Sequence, residues 1–248
     1  MIKFFAATLA AAALFAQGPQ PKSQKELDAI NAMFQAADND ARIKTANELL
    51  TKFADTQFKP LALYIMTSAY FDKKDYTNSV IQGERCAEAD AKSAFAAHCK
   101  VMIATSLVSV TKEFDFDKEE KLGRADKLAK EAIEGVKAAA KFNPNLTDEQ
   151  WEGAKKGYIG EAHLAMGMAA TVRKNWNDAI ANFKAASEND PSNHGTFVRL
   201  GVAQSSAAKF DDAIATFDKV IAMAGVDPGI ANFAKAEKEK AVKAKGAK

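Results

Sequence analysis

The chain is poor in the rare side chains that usually carry chemistry. It holds two cysteines and three histidines. Two thiols cannot build the disulfide framework of a small secreted scaffold. Neither C-x-x-C nor H-E-x-x-H occurs, so Cys86, His98 and Cys99 lack the spacing and the fourth ligand of a zinc site. No metal and no cofactor are expected. There is no G-x-S-x-G elbow, no P-loop and no G-x-G-x-x-G after a strand, so no catalytic residue is assigned. Net charge is only +2, which argues against nucleic acid, since phosphate binding needs a concentrated basic surface. Prolines number six and no Pro/Ser-rich linker divides the chain, so one domain is expected. Apolar and polar residues hardly alternate and β-branched runs are short, which predicts an all-α protein.

Long hydrophobic runs are missing too, except at the start. Lys3 precedes an apolar run from Phe4 to Phe15, too short to span a bilayer, and Leu14-Phe15-Ala16 suits cleavage before Gln17. Residues 1–16 are read as a signal peptide and 17–24 as a flexible segment, with the helical domain over 25–244. No cysteine follows the run, so a lipid anchor is not indicated. A periplasmic or secreted protein is expected, with no integral membrane span.

What the chain does have is a repeat. Trp176-Asn-Asp-Ala-Ile-Ala-Asn-Phe183 recurs as Phe210-Asp-Asp-Ala-Ile-Ala-Thr-Phe217, 34 residues later. Gly167 and Gly201 keep the same shift, as do Ala169 and Ala203. Tyr76-Thr-Asn-Ser79-Val-Ile-Gln-Gly83 lies 100 residues before the Trp176 segment, close to three periods, but puts Gly83 where Phe is expected. Tyr64, Met66 and Tyr70 supply its first helix. A fainter copy runs from Ile30, Met33 and Phe34 through Ala46, Leu50 and Phe53 to Pro60. Residues 94–141 read as a helix pair with a stretched connection from Thr111 to Gly123. A fixed period of this size marks a stacked array, which presents extended surfaces.

The plan resembles the tetratricopeptide repeat: Gly among large apolar residues, an aromatic opening the second helix, Ala179 and Phe183 (or Ala213 and Phe217), then Asp190-Pro191. The resemblance implies an α-solenoid of about five stacked antiparallel helix hairpins in a right-handed superhelix, clearest over 160–193 and 194–227, with a last capping helix from Pro228. It also implies that first helices line a concave groove for a protein or peptide. That stripe carries Tyr64, Ser68 and Phe71 upstream, Leu164, Met168 and Thr171 in one clear repeat, and Val198, Val202 and Ser205 in the next. Some relatives of that type grip a terminal carboxylate with Lys and Asn. Here apolar residues occupy the comparable stripe, so an apolar peptide is expected, or else these residues are core.

Cys86 and Cys99 lie at equal distances from a turn near Lys92-Ser93, which places them opposite each other in an antiparallel hairpin. Two readings stand: a disulfide, as an exported protein allows, or two small buried thiols. Asp115, Asp117, Glu119 and Glu120 form an acidic patch without the pattern of a calcium loop. Thr147-Asp-Glu-Gln150 reads as a capping box. The basic segment from Lys235 to Lys248 reads as a solvated last helix. The functional expectation is an exported, non-enzymatic scaffold for protein interaction in assembly of a cell-envelope complex. The alternatives are an enzyme or small-ligand receptor with a site over 112–150, or a self-associating module that forms a homo-oligomer.

Overall fold

Polar side chains start most of the helices. A computed structural model describes residues 19–143 and 145–247, so the leader expected over 1–16 lies outside the described residues. Ser23, Asp38, Asp75, Ser93, Asn175, Asn193 and Asp227 each accept a backbone N–H one turn into the following helix. Thr147 and Gln150 cap reciprocally. The described residues form eleven helices and no strand: α1 (Gln24–Phe34), α2 (Asn39–Lys52), α3 (Lys59–Asp72), α4 (Tyr76–Ala89), α5 (Ala94–Val110), α6 (Lys118–Ala138), α7 (Asp148–Val172), α8 (Trp176–Asn189), α9 (His194–Ser206), α10 (Phe210–Ala222) and α11 (Pro228–Gly246). These are five hairpins and a terminal helix.

Three hairpin turns are built identically. Lys74, Lys174 and Ala208 sit at φ 59°, 60° and 57°. In each, this residue's N–H bonds the carbonyl three residues back, and the next N–H reaches five back, as from Asn175 to Ala170 at 2.9 Å. That is the Schellman closure, and it turns the chain into the second helix of the pair.

Every helix packs on its neighbours in the chain. First helices also pack on one another: α3 on α5, α5 on α7, and α9 on α11. The core is a series of local clusters, each shared by consecutive helices, as a stacked array requires. Within the two clearest hairpins a ring covers a glycine. A Cβ on Gly167 would meet Phe183 at 2.5 Å, and one on Gly201 would meet Phe217 at 2.6 Å. At Gly83 the missing Phe is replaced from the next hairpin, where Ile103 Cγ1 lies 2.7 Å from the Cβ position.

Two boundaries differ from the sequence reading. The connection after α5 is shorter, because α6 begins at Lys118. Pro60 opens α3 instead of closing the preceding hairpin, since proline is tolerated in a first helical turn. Cys86 on α4 and Cys99 on α5 are bonded, with Cα atoms 6.4 Å apart and no exposed surface on either. At the N-terminal end the carboxylate of Glu26, buried in α1, accepts the Thr56 hydroxyl at 2.6 Å and the Lys22 N–H at 2.6 Å.

Candidate binding groove

The row of first helices is broken between α1 and α3 and again between α7 and α9. α7 and α9 do not pack closely on each other, although α5 and α7, and α9 and α11, do. An open hollow of about 570 Å³ lies there. Thr171 of α7 contributes one edge, and Trp176 and Phe183 of α8 the floor. Gly195, Val198, Arg199, Val202 and Ala203 of α9 form one wall, and Asp227, Gly229, Ile230 and Phe233 at the start of α11 the other. Val198 and Val202 are four apart and so share a face, which Gly195 extends without adding bulk. Phe233 is 49% exposed, more than a core aromatic would be.

The hollow is apolar except at two points. Asp227 is occupied: its carboxylate accepts the N–H groups of Gly229 at 2.8 Å and Ile230 at 3.2 Å. Arg199 is on an exposed position and has no hydrogen-bonded or ionic partner among the described residues. The concave wall strips some water from its head and pushes its pKa down from the ordinary guanidinium value, although an arginine stays charged.

A second cluster joins the first helices farther back. The Tyr64 hydroxyl (α3) lies 3.0 Å from His98 Nδ1 (α5), and His98 Nε2 lies 2.8 Å from Glu161 Oε2 (α7). An ionised Glu161 can only accept, so Nε2 carries the proton; in the neutral ring Nδ1 then accepts from Tyr64. The Tyr158 ring stacks on His98 at 4.1 Å between centroids. Burial raises the Tyr64 pKa well above the usual phenol range, helped by neighbouring Tyr158 and Glu161, and burial raises that of Tyr158 as well. Phe95 and Phe142 extend the aromatic row to Trp151. This cluster is a polar strut across three hairpins.

Of the groove residues read from sequence, Thr171, Val198 and Val202 come together in the hollow. Leu164 and Met168 pack against the α7–α9 cluster instead. Tyr64 and Phe71 pack against the disulfide cluster on α3, and neither they nor Ser68 line the hollow. Ser205 sits at the far end of α9, where its carbonyl accepts the Ala208 N–H at 3.0 Å. The hollow also uses residues that the stripe pattern does not single out: Trp176 and Phe183 from a second helix, Arg199, and Ile230 and Phe233 from the terminal helix. The aromatic opening α8 was visible as a repeat position, but its exposure to the hollow depends on how far α7 and α9 part.

His98 turns to Tyr64 and Glu161 rather than to the cysteines, and among the described residues no group of His, Cys, Asp or Glu converges as a metal site would require. The acidic patch is taken up in ion pairs. Asp117 lies 2.9 Å from Lys121, and Arg173 bridges Glu119 and Asp126 at 2.8 Å each. Among the described residues no helix is long and apolar enough to cross a membrane.

No protein-family profile and no curated protein sequence matches the chain. A solved structure does: a thermophilic tetratricopeptide-repeat protein of Thermus thermophilus is 15% identical, aligns over 88% of this chain and 99% of its own, and superposes with a TM-score of 0.57. Serial hairpins, ring-on-glycine packing at a 34-residue shift and that superposition agree that the chain has the fold of the tetratricopeptide-repeat solenoids.

Proposed function

We propose that the protein is an exported, non-enzymatic scaffold that holds protein partners in the hollow between α7, α9 and α11, in assembly of a cell-envelope complex. The hollow carries the reading. It is apolar, open and built from two hairpins and the terminal helix, which suits a peptide segment with large apolar side chains better than a charged terminus. Its charged residues make no nucleophile–base pair, since Asp227 is spent on capping α11 and Arg199 is a fixed cation. The rival location over 112–150 has Glu113, Asp117 and Glu119 engaged with Lys174, Lys121 and Arg173. Export is supported by Lys3 and the apolar run after it, and by the Cys86–Cys99 bond, which suits an oxidising compartment.

The test is a crosslinked pull-down of the exported protein beside Val198→Asp/Phe233→Asp. Phe233→Asp alone serves as a second variant, because that side chain is half exposed and its loss leaves the fold intact. Partners recovered with the native protein and lost with both variants are the expected result. Partners retained by variants of native helicity would overturn the reading.

A further inference from the structure

The turn between α5 and α6 exposes more apolar surface than any packing need explains. Phe114 is 90% exposed and Phe116 107%, and Val110, just before them, is 42% exposed. The turn is nevertheless well anchored. Thr111 is buried and donates its hydroxyl to the Leu107 carbonyl at 2.7 Å. Asp115 accepts the Lys112 N–H at 3.0 Å, Asp117 lies 2.9 Å from Lys121, and Glu113 pairs with Lys174 at 2.5 Å. The acids hold the loop while the two rings stand in water. A contiguous exposed apolar feature on an ordered loop marks a contact surface.

The same molecule holds a receptor of matching character. The hollow has the volume of a small-ligand pocket, ample for phenyl rings, and its walls are apolar. Charge agrees as well. From Glu113 to Glu120 the loop segment has five acids and one lysine; four of the acids are paired with Lys121, Arg173 and Lys174, and Glu120 is left without an ion pair among the described residues. Arg199, which lines the hollow, has no anionic partner among the described residues. The two phenylalanines do not enter their own hollow, because both are in solvent. Acids around the rings also disfavour an anionic lipid surface as the alternative occupant.

We propose that the Phe114–Phe116 loop of one copy docks in the hollow of a second copy, so that the chain assembles head to tail. The contact is heterologous: knob and hole are different surfaces, and each copy keeps one of each free for a further neighbour. Closure into a ring or growth into a short filament then depends on the rotation between copies. The proposal rests on the hollow being a binding surface, as the scaffold reading has it, and names the chain itself as an occupant.

Sedimentation and light scattering over a concentration series test this on the purified protein. Two variants touch only exposed side chains and so fold: Phe114→Ser/Phe116→Ser removes the knob, and Arg199→Glu/Phe233→Ser spoils the hole. The native protein is expected to self-associate, and each variant to weaken this by about a hundredfold or more. Mixing the two variants is decisive. The intact hole of one meets the intact knob of the other, so the mixture gives a 1:1 dimer and nothing larger. A native protein that stays monomeric at the highest concentration overturns the proposal, while the scaffold reading stands or falls separately on its pull-down. Self-association unchanged in the knob variant, or a mixture with no dimer, also overturns it. A monomeric native protein that sediments with anionic phospholipid vesicles, and no longer does so without the two rings, overturns it too and assigns the loop to a membrane instead.

Discussion

A single methyl group decides the packing of the two clearest hairpins. At Gly167 it would penetrate the Phe183 ring, and at Gly201 the Phe217 ring, both of which are fully buried and have nowhere to retreat. Gly167→Ala and Gly201→Ala should each destabilise by about 1–3 kcal/mol, read as a lower midpoint in urea. Unchanged midpoints would mean that the rings do not seal these layers. These pairs were legible in the sequence because glycine and ring recur at one shift. The Gly83–Ile103 pair was not, because its partner comes from a different hairpin with no repeat register to announce it. The His98 strut was likewise hidden: Tyr64, His98 and Glu161 are distant in sequence, and only stacking of α3, α5 and α7 brings them together.

At the scale of elements, helix positions follow from caps and turn residues, and these are local enough to read directly. The exceptions have local reasons as well. α6 starts with Lys118-Glu-Glu-Lys121, a first turn without an apolar residue before Leu122, so apolar spacing misses it. The second and third hairpins are tied covalently, α4 to α5, as no other neighbouring hairpins among the described residues are. The bond closes a separation of 13 residues, which limits the unfolded chain and contributes about 2–3 kcal/mol. Cys86→Ala/Cys99→Ala should therefore melt at a lower temperature than the native protein, and reductant should move the native melt toward it. Because both sulfurs are fully buried, reduction of the folded protein should be slow. Fast reduction without loss of stability would contradict the assignment.

Across the whole molecule, stability is distributed along the stack, and the polar strut links its middle layers. Tyr64 and Tyr158 have pKa values raised by burial, so the folded state holds their protons more tightly than the unfolded chain does. Their contribution is complete below the ordinary phenol pKa of about 10 and is lost as pH climbs through the raised values. The protein should lose stability on alkaline titration above about pH 10, and Tyr64→Phe should flatten that loss; an equal slope in the variant would refute the link. The groove itself was only partly legible. The stripe on α9 was readable from four-residue spacing, but the hollow exists because α7 and α9 separate and α11 supplies a wall, and neither follows from the pattern of any one repeat.

The most direct test of the central claim replaces Phe233, in the hollow, with the photocrosslinking residue benzoylphenylalanine, and in a parallel protein replaces Ile81, which is similarly exposed on the second helix α4. Irradiation of cells producing each protein should give covalent protein adducts from position 233 and few or none from 81. Equal adducts from both, or none from 233, would contradict the account of this hollow as the working surface of the scaffold.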